Sequence, residues 1–237
     1  MTNRQLGRFA VVLFVVALLL IWLGRATNVD IYLADRMFDF GANEFPHRNE
    51  WFYAHFTHHT MKALMVAVAF VPVAVLLVDA FNGRQLLDGR TRARLMVIVA
   101  SAVLVPIAIS AMKATSIHHC PWNLTRYGGF APYLRIFDSL PAGTSAGHCF
   151  PAGHASSALW LASVAVFWLP EQPAKAWAAF AVGLSPGLLL GLAQQARGAH
   201  FLSHTLWSAW VAVSIIVVLA RLIEPAAMVE SGAEDRS

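Results

Sequence analysis

Charge is scarce in this sequence. Only 13% of its 237 residues are Asp, Glu, Lys or Arg, about half the share of an ordinary soluble domain. No dense run of Lys and Arg with interleaved aromatics occurs, so nucleic-acid binding has no support. Cysteine is limited to Cys120 and Cys149, too few for a disulfide scaffold. There is no internal repeat and no low-complexity segment, which sets aside repeat architectures.

Apolar residues are abundant instead. They make up 58% of the chain, and the mean hydropathy is +0.58. This composition points to an integral membrane protein, all-α, and the length suits six spans of about 20 residues with loops. The apolar runs are Phe9 to Leu23, Ala63 to Val78, Leu95 to Met112, Ala155 to Leu169, Ala176 to Ala193 and Thr205 to Ala220. The first follows Arg4 and Arg8 and resembles a signal peptide, but Gly24-Arg25-Ala26 is a poor cleavage site, so an uncleaved helix is expected. Gly183, Pro186, Gly187 and Gly191 in the fifth run imply a kink or close helix contacts. The whole chain, 1–237, reads as one membrane-embedded domain with a core over 60–221, an outer segment over 28–60 and a polar tail over 222–237. Within the outer segment, Ile31 to Phe38 has the pattern of an amphipathic helix. It either lies in the interface plane or belongs to a packed external loop.

Six crossings put the N-terminus, the Asp79–Arg94 loop, the Pro170–Lys175 loop and the C-terminus on one side. That side holds Arg4, Arg8, Arg84, Arg90, Arg92, Arg94, Lys175, Arg221 and Arg236, and is the expected cytoplasmic side. The opposite loops carry most of the histidines and both cysteines, so the expected location is a bacterial inner membrane with these loops in the periplasm.

Three stretches of those outer loops carry groups for proton and phosphate chemistry. They are Lys113 to Pro121, Phe150-Pro151-Ala152-Gly153-His154, and Gln194 to His204. Ionisable groups at membrane helix ends usually face a bundle interior or a watery cavity. A phosphate held among them would meet Lys113, Arg197, backbone N–H groups around Gly153, and two or three imidazoles able to attack or to move protons.

These stretches resemble the type 2 phosphatidic acid phosphatase family, membrane relatives of the vanadium haloperoxidases. The family pattern is Lys-x6-Arg-Pro, then Pro-Ser-Gly-His, then Ser-Arg-x5-His-x3-Asp. Lys113 and Pro121 match the first part. Pro151, Gly153 and His154 match the second, and Gly198 to Ser203 match the surroundings of the third-part histidine. The resemblance implies a phosphatase acting on a lipid phosphate or diphosphate, with no cofactor and no metal. On that resemblance His200 would attack phosphorus and form a phosphohistidine, His154 would protonate the leaving alkoxide, and Lys113 and an arginine would hold the non-bridging oxygens. Phosphotransfer between lipids would use the same intermediate.

The departures from the pattern are specific. Cys120 replaces the first arginine. Ala152 replaces the serine, leaving a backbone N–H for phosphate. Gln194 replaces the second arginine, and Arg197, nearly one helical turn later, is expected to substitute for it. His204 replaces the aspartate; a neutral imidazole fixes the nucleophile's tautomer but stabilises its positive charge poorly. Asp138 is a candidate to supply that charge. An alternative alignment makes His204 the nucleophile. Cys120 and Cys149 are expected to form a disulfide joining the first two motifs. The rival readings are a non-catalytic lipid-phosphate binder or transporter, and a zinc site built from His118, His119, Cys120, His148 and Cys149.

Overall fold

The structure is a computed structural model that describes residues 3–234, with side chains for residues 5–57 and 59–223. Helix accounts for 71% of it, and no strand forms among the described residues. The helices are α1 (Asn3–Ala26), α2 (Val29–Met37), α3 (Met61–Phe81), α4 (Gly89–Ala114), α5 (Gly153–Leu159), α6 (Pro173–Ala196) and α7 (Leu202–Glu234). A π-helical segment, Phe52–Thr60, runs directly into α3, and a 3-10 segment, Trp160–Trp168, continues α5.

Among the described residues, five stretches are long and apolar enough to cross a membrane: Gln5–Ala26, Phe52–Phe81, Gly89–Ala114, Pro173–Ala196 and Leu202–Ile223. The expected fourth span falls on α5 and its 3-10 continuation, which is too short to count among these. Its tighter winding compensates in part, because the 3-10 rise of 2.0 Å per residue brings the segment to about 28 Å. The second span starts earlier than its apolar run suggests. Ring packing of Phe52 on Phe56, and of Trp51 on Phe56, extends the helix outward through the π turns. Helix α7 likewise continues past its apolar run as far as Glu234, so helix replaces most of the expected polar tail; residues 235–237 of that tail lie outside the described residues.

Small residues set the packing. Ala152, Ala155, Leu159, Trp160 and Ala212 meet Ile98, Val105 and Ile109 in one core between α4, α5 and α7. On α6, a Cβ at Gly183 would sit 2.5 Å from the Leu161 carbonyl oxygen, and one at Gly191 would sit 2.2 Å from Thr205 Cγ2. Helix α6 therefore lies against its neighbours nearly backbone to backbone.

The two ends are tied separately. At one end Asp79 pairs with Arg92 at 2.8 Å, while Arg90 and Arg94 pair with Glu171. Asp88 caps α4, accepting from the Thr91 N–H at 2.8 Å. At the other end, Ala34, Phe38 and Phe45 pack on Leu124, Tyr127 and Phe201. Arg126 makes a two-pronged pair with Asp35, both contacts 2.7 Å. The segment 28–60 thus begins as a packed cap at this end of the bundle and ends as the start of a membrane-length helix.

Candidate functional site

The site assembles where the third motif turns. Helix α6 ends at Ala196, and Gly198 follows with φ +72°. The Gly198 N–H donates to Gln195 O at 2.8 Å and the Ala199 N–H to Gln194 O at 2.9 Å, the paired bonds of a Schellman stop. Gly198 is required twice over, since a Cβ there would also meet the Phe45 ring at 2.4 Å. Helix α7 begins at Leu202, and its first turn is held by a carboxylate from far away in sequence. Asp30 accepts from the Ser203 N–H at 2.9 Å and from its hydroxyl at 2.5 Å. This places His200 in the short link between two helices, only 2% exposed.

The second motif is buttoned to the same place. The Ala152 N–H donates to His204 O at 3.1 Å, and the Ser208 hydroxyl lies within 3.0 Å of Ala152 O and 2.9 Å of His204 O. Ala152 is fully buried. The expectation that its N–H holds a phosphate is therefore corrected: that hydrogen is committed to the backbone of α7.

The first motif joins through sulfur. Cys120 and Cys149 form a disulfide, with their Cα atoms 5.3 Å apart. Backbone bonds from Gly147, His148 and Cys149 to Ile117, Ser116 and His118 run alongside it. The Cys149 sulfur lies 3.6 Å from His200 Nδ1. The sulfurs of Cys120 and Cys149 cluster with His200 as metal-type donors, but both are used by the disulfide and His119 Nε2 contacts Ser145 O at 2.8 Å. The five-residue zinc site is not assembled.

His200 and His154 meet directly, Nε2 to Nδ1 at 3.3 Å. His204 stands beside His200 with ring centroids 5.7 Å apart, and among the described residues its Nδ1 has no hydrogen-bond partner. Burial holds the His200 imidazole well below its usual range, and the nearby His204, His154 and Lys113 act in the same direction. His200 is accordingly a neutral ring, with its Nε2 toward His154 and its Nδ1 toward Cys149.

A cavity of about 300 Å³ opens on the far face of His154. Its lining includes Thr57, Lys62, Val66 and Ala69, then Ala102, Pro106, Ser110 and Lys113, then His154, Ser156 and Trp160; chain order along the consecutive helices α3 and α4 puts Lys62 and Lys113 toward one end and Ala69 and Ala102 toward the other. Arg197 does not line it. Its Nε donates to Arg48 O and its Nη1 to Gln194 Oε1, both at 3.0 Å. Gln194 is fully buried and donates to Thr57 Oγ1 at 3.1 Å. Asp138 is also engaged elsewhere, pairing with Arg25 and accepting from the Arg135 N–H. Lys62, Thr57 and Asp30 were not foreseen from the sequence. Lys62 stood one residue outside an apolar run, and the partner of Asp30 lies 173 positions away.

Among curated proteins and among solved structures, nothing matches this chain. The PAP2 superfamily matches residues 94–227, more than half of the chain and all three motif stretches. The match agrees with the expected kinship to type 2 phosphatidic acid phosphatases, and the superfamily suggests a phosphatase-type activity on phosphate esters. The chain, with its lysine, paired histidines and alkyl-lined cavity, belongs to the PAP2 superfamily.

Proposed function

We propose that the chain is a membrane phosphatase that removes phosphate from a lipid phosphate or diphosphate, working at the outer face. The observation that carries this reading is the two-ended cavity. Its polar end has a lysine and an imidazole, and the rest is lined by α3 and α4 side chains, among them the half-exposed Val66. Such a pocket suits a phosphate head joined to a hydrocarbon tail.

In the proposed reaction the phosphate slides between the two rings, replacing the contact between His154 and His200. The His200 Nε2 lone pair forms the N–P bond as the ester P–O bond breaks. His154 gives its proton to the leaving alkoxide. Water then attacks phosphorus, returns a proton to His154 and frees phosphate and His200. Lys113 and the Gly153 N–H balance charge on the non-bridging oxygens. Nothing in these steps calls for a metal ion.

The proposed topology has six crossings, with the segment from α5 to Trp168 as the fourth and both termini cytoplasmic. The positive-inside distribution of arginines supports it. The disulfide beside the site supports an oxidising compartment, the periplasm of a bacterial inner membrane, on the opposite side.

The test is release of inorganic phosphate by detergent-purified protein from a short-chain phosphatidate and from a prenyl diphosphate. His200→Ala is expected to lower kcat by about a thousandfold or more. Equal rates in wild type and His200→Ala would remove the enzyme reading and leave the non-catalytic binder.

A further inference from the structure

The family pattern supplies three cations to a phosphate, and this chain keeps one of them. Cys120 is bound in a disulfide, Gln194 is neutral and buried, and Arg197 is turned toward Arg48 O and the Trp122 ring. A dianionic head facing a single lysine would be under-compensated.

A second cation comes from an element outside the matched region. Lys62, Val66 and Ala69 recur at helical spacing and form one stripe of α3, which faces the cavity. Pro106, Ser110 and Lys113 form the corresponding stripe of α4. The two helices are consecutive and joined by a short loop at the end remote from the site, so they run in opposite directions. Lys62 opens its stripe and Lys113 closes its own, so both ammonium groups belong to the same end of the cavity, the end that holds His154. The stem of Lys62 can lie along α3 while its head stays in the watery mouth.

We propose that Lys62 is a substrate-binding residue that, with Lys113, clamps the non-bridging phosphate oxygens and takes the place of the arginines this chain lacks. This rests on the phosphatase reading of the site. Two point-charge lysines in place of planar guanidinium forks also favour a mobile terminal phosphate over a rigidly oriented one.

The experiment compares Lys62→Met, Lys62→Arg and Arg197→Met with wild type in mild detergent. It reads kcat and KM for a short-chain phosphatidate and, separately, the Kd for inorganic phosphate. Lys62→Met is expected to raise both KM and Kd about tenfold, the loss of one charged contact. Lys62→Arg should recover most of that, and Arg197→Met should stay within about twofold of wild type. Lys62 is exposed on the outer turn of α3, so these variants should fold, and unchanged thermal unfolding checks it. Lys62→Met within twofold of wild type in both readouts would overturn the assignment. If wild type releases no phosphate, the phosphatase reading falls, while the phosphate Kd series still decides for or against Lys62.

Discussion

Replacing Cys120 by alanine opens the loop that joins the first two motifs, and the cost follows from the length of that loop. The two cysteines are 29 positions apart. Closing a loop of that length removes about 3.6 kcal/mol of chain entropy from the unfolded state. The folded loop itself should persist, because three backbone bonds pair residues 116–118 with 147–149 beside the missing bridge. Cys120→Ala also leaves the Cys149 sulfur against His200 Nδ1, so it isolates loop closure from packing. Cys149→Ala removes the fully buried sulfur as well and should cost roughly 1 kcal/mol more. Denaturant titration in mild detergent, with and without reductant, reads these differences. Wild type in reductant should match Cys120→Ala, and neither should approach oxidised wild type. A loss below about 1 kcal/mol in Cys120→Ala, or a wild-type midpoint indifferent to reductant, would refute the reasoning. The intact oxidised chain should also weigh two hydrogens less than the reduced one.

Two further perturbations test the buried groups. His200 is held neutral by burial, so the folded state binds fewer protons there than the unfolded chain, whose imidazole titrates near pH 6.5. The His200 contribution to stability should be constant above that pH and fall by up to about 1.4 kcal/mol per pH unit below it. The slope should lessen in His200→Ala, and an imidazole signal lost in that variant should stay neutral between about pH 7.5 and 5.5; ordinary titration of that signal would contradict the burial argument. Asp30→Ala strands the Ser203 N–H and hydroxyl at the start of α7 and should cost about 2 kcal/mol in denaturant titration. Asp30→Asn keeps an acceptor and avoids the buried charge, which burial already disfavours, so it should cost less than half as much; equal losses would count against the capping role.

Much of the architecture was legible in the sequence because membrane helices announce themselves in blocks. The runs near Leu95–Met112, Ala176–Ala193 and Thr205–Ala220 each fall within a helix of the structure. The convergence of Lys113, His154 and His200 was also legible, since all three sit beside helix ends. What failed was any inference that needed the direction of a chain end. Arg197 was expected to substitute for Gln194 one turn later, and the two side chains do touch. But α6 stops at Ala196, and the Schellman turn aims Arg197 out toward the outer cap. Ala152 failed for a related reason, since a loop N–H that faces α7 in space has no sequence signal. The expected fourth span gives only a short helix and a 3-10 segment, because periodicity does not distinguish α from 3-10 winding over Trp160–Trp168.

The proposed mechanism requires something to answer the positive charge that His200 would acquire on phosphorylation. No carboxylate hydrogen-bonds its ring among the described contacts. His204 stands at the motif's aspartate position as a buried ring 5.7 Å away, and Asp138 is occupied by Arg25. Asp30 is the buried acid that reaches this link, through Ser203, and its oxygens already accept two hydrogens there. Cys149 is what meets Nδ1 directly, and its backbone carbonyl favours the charged ring. A neutral partner fixes which nitrogen carries the proton but stabilises imidazolium far less than an anion would. In the proposed mechanism a phosphohistidine would be correspondingly high in energy, slower to form and faster to lose to water. The burden of charge compensation then shifts to the phosphate side of the new bond, where the lysines stand.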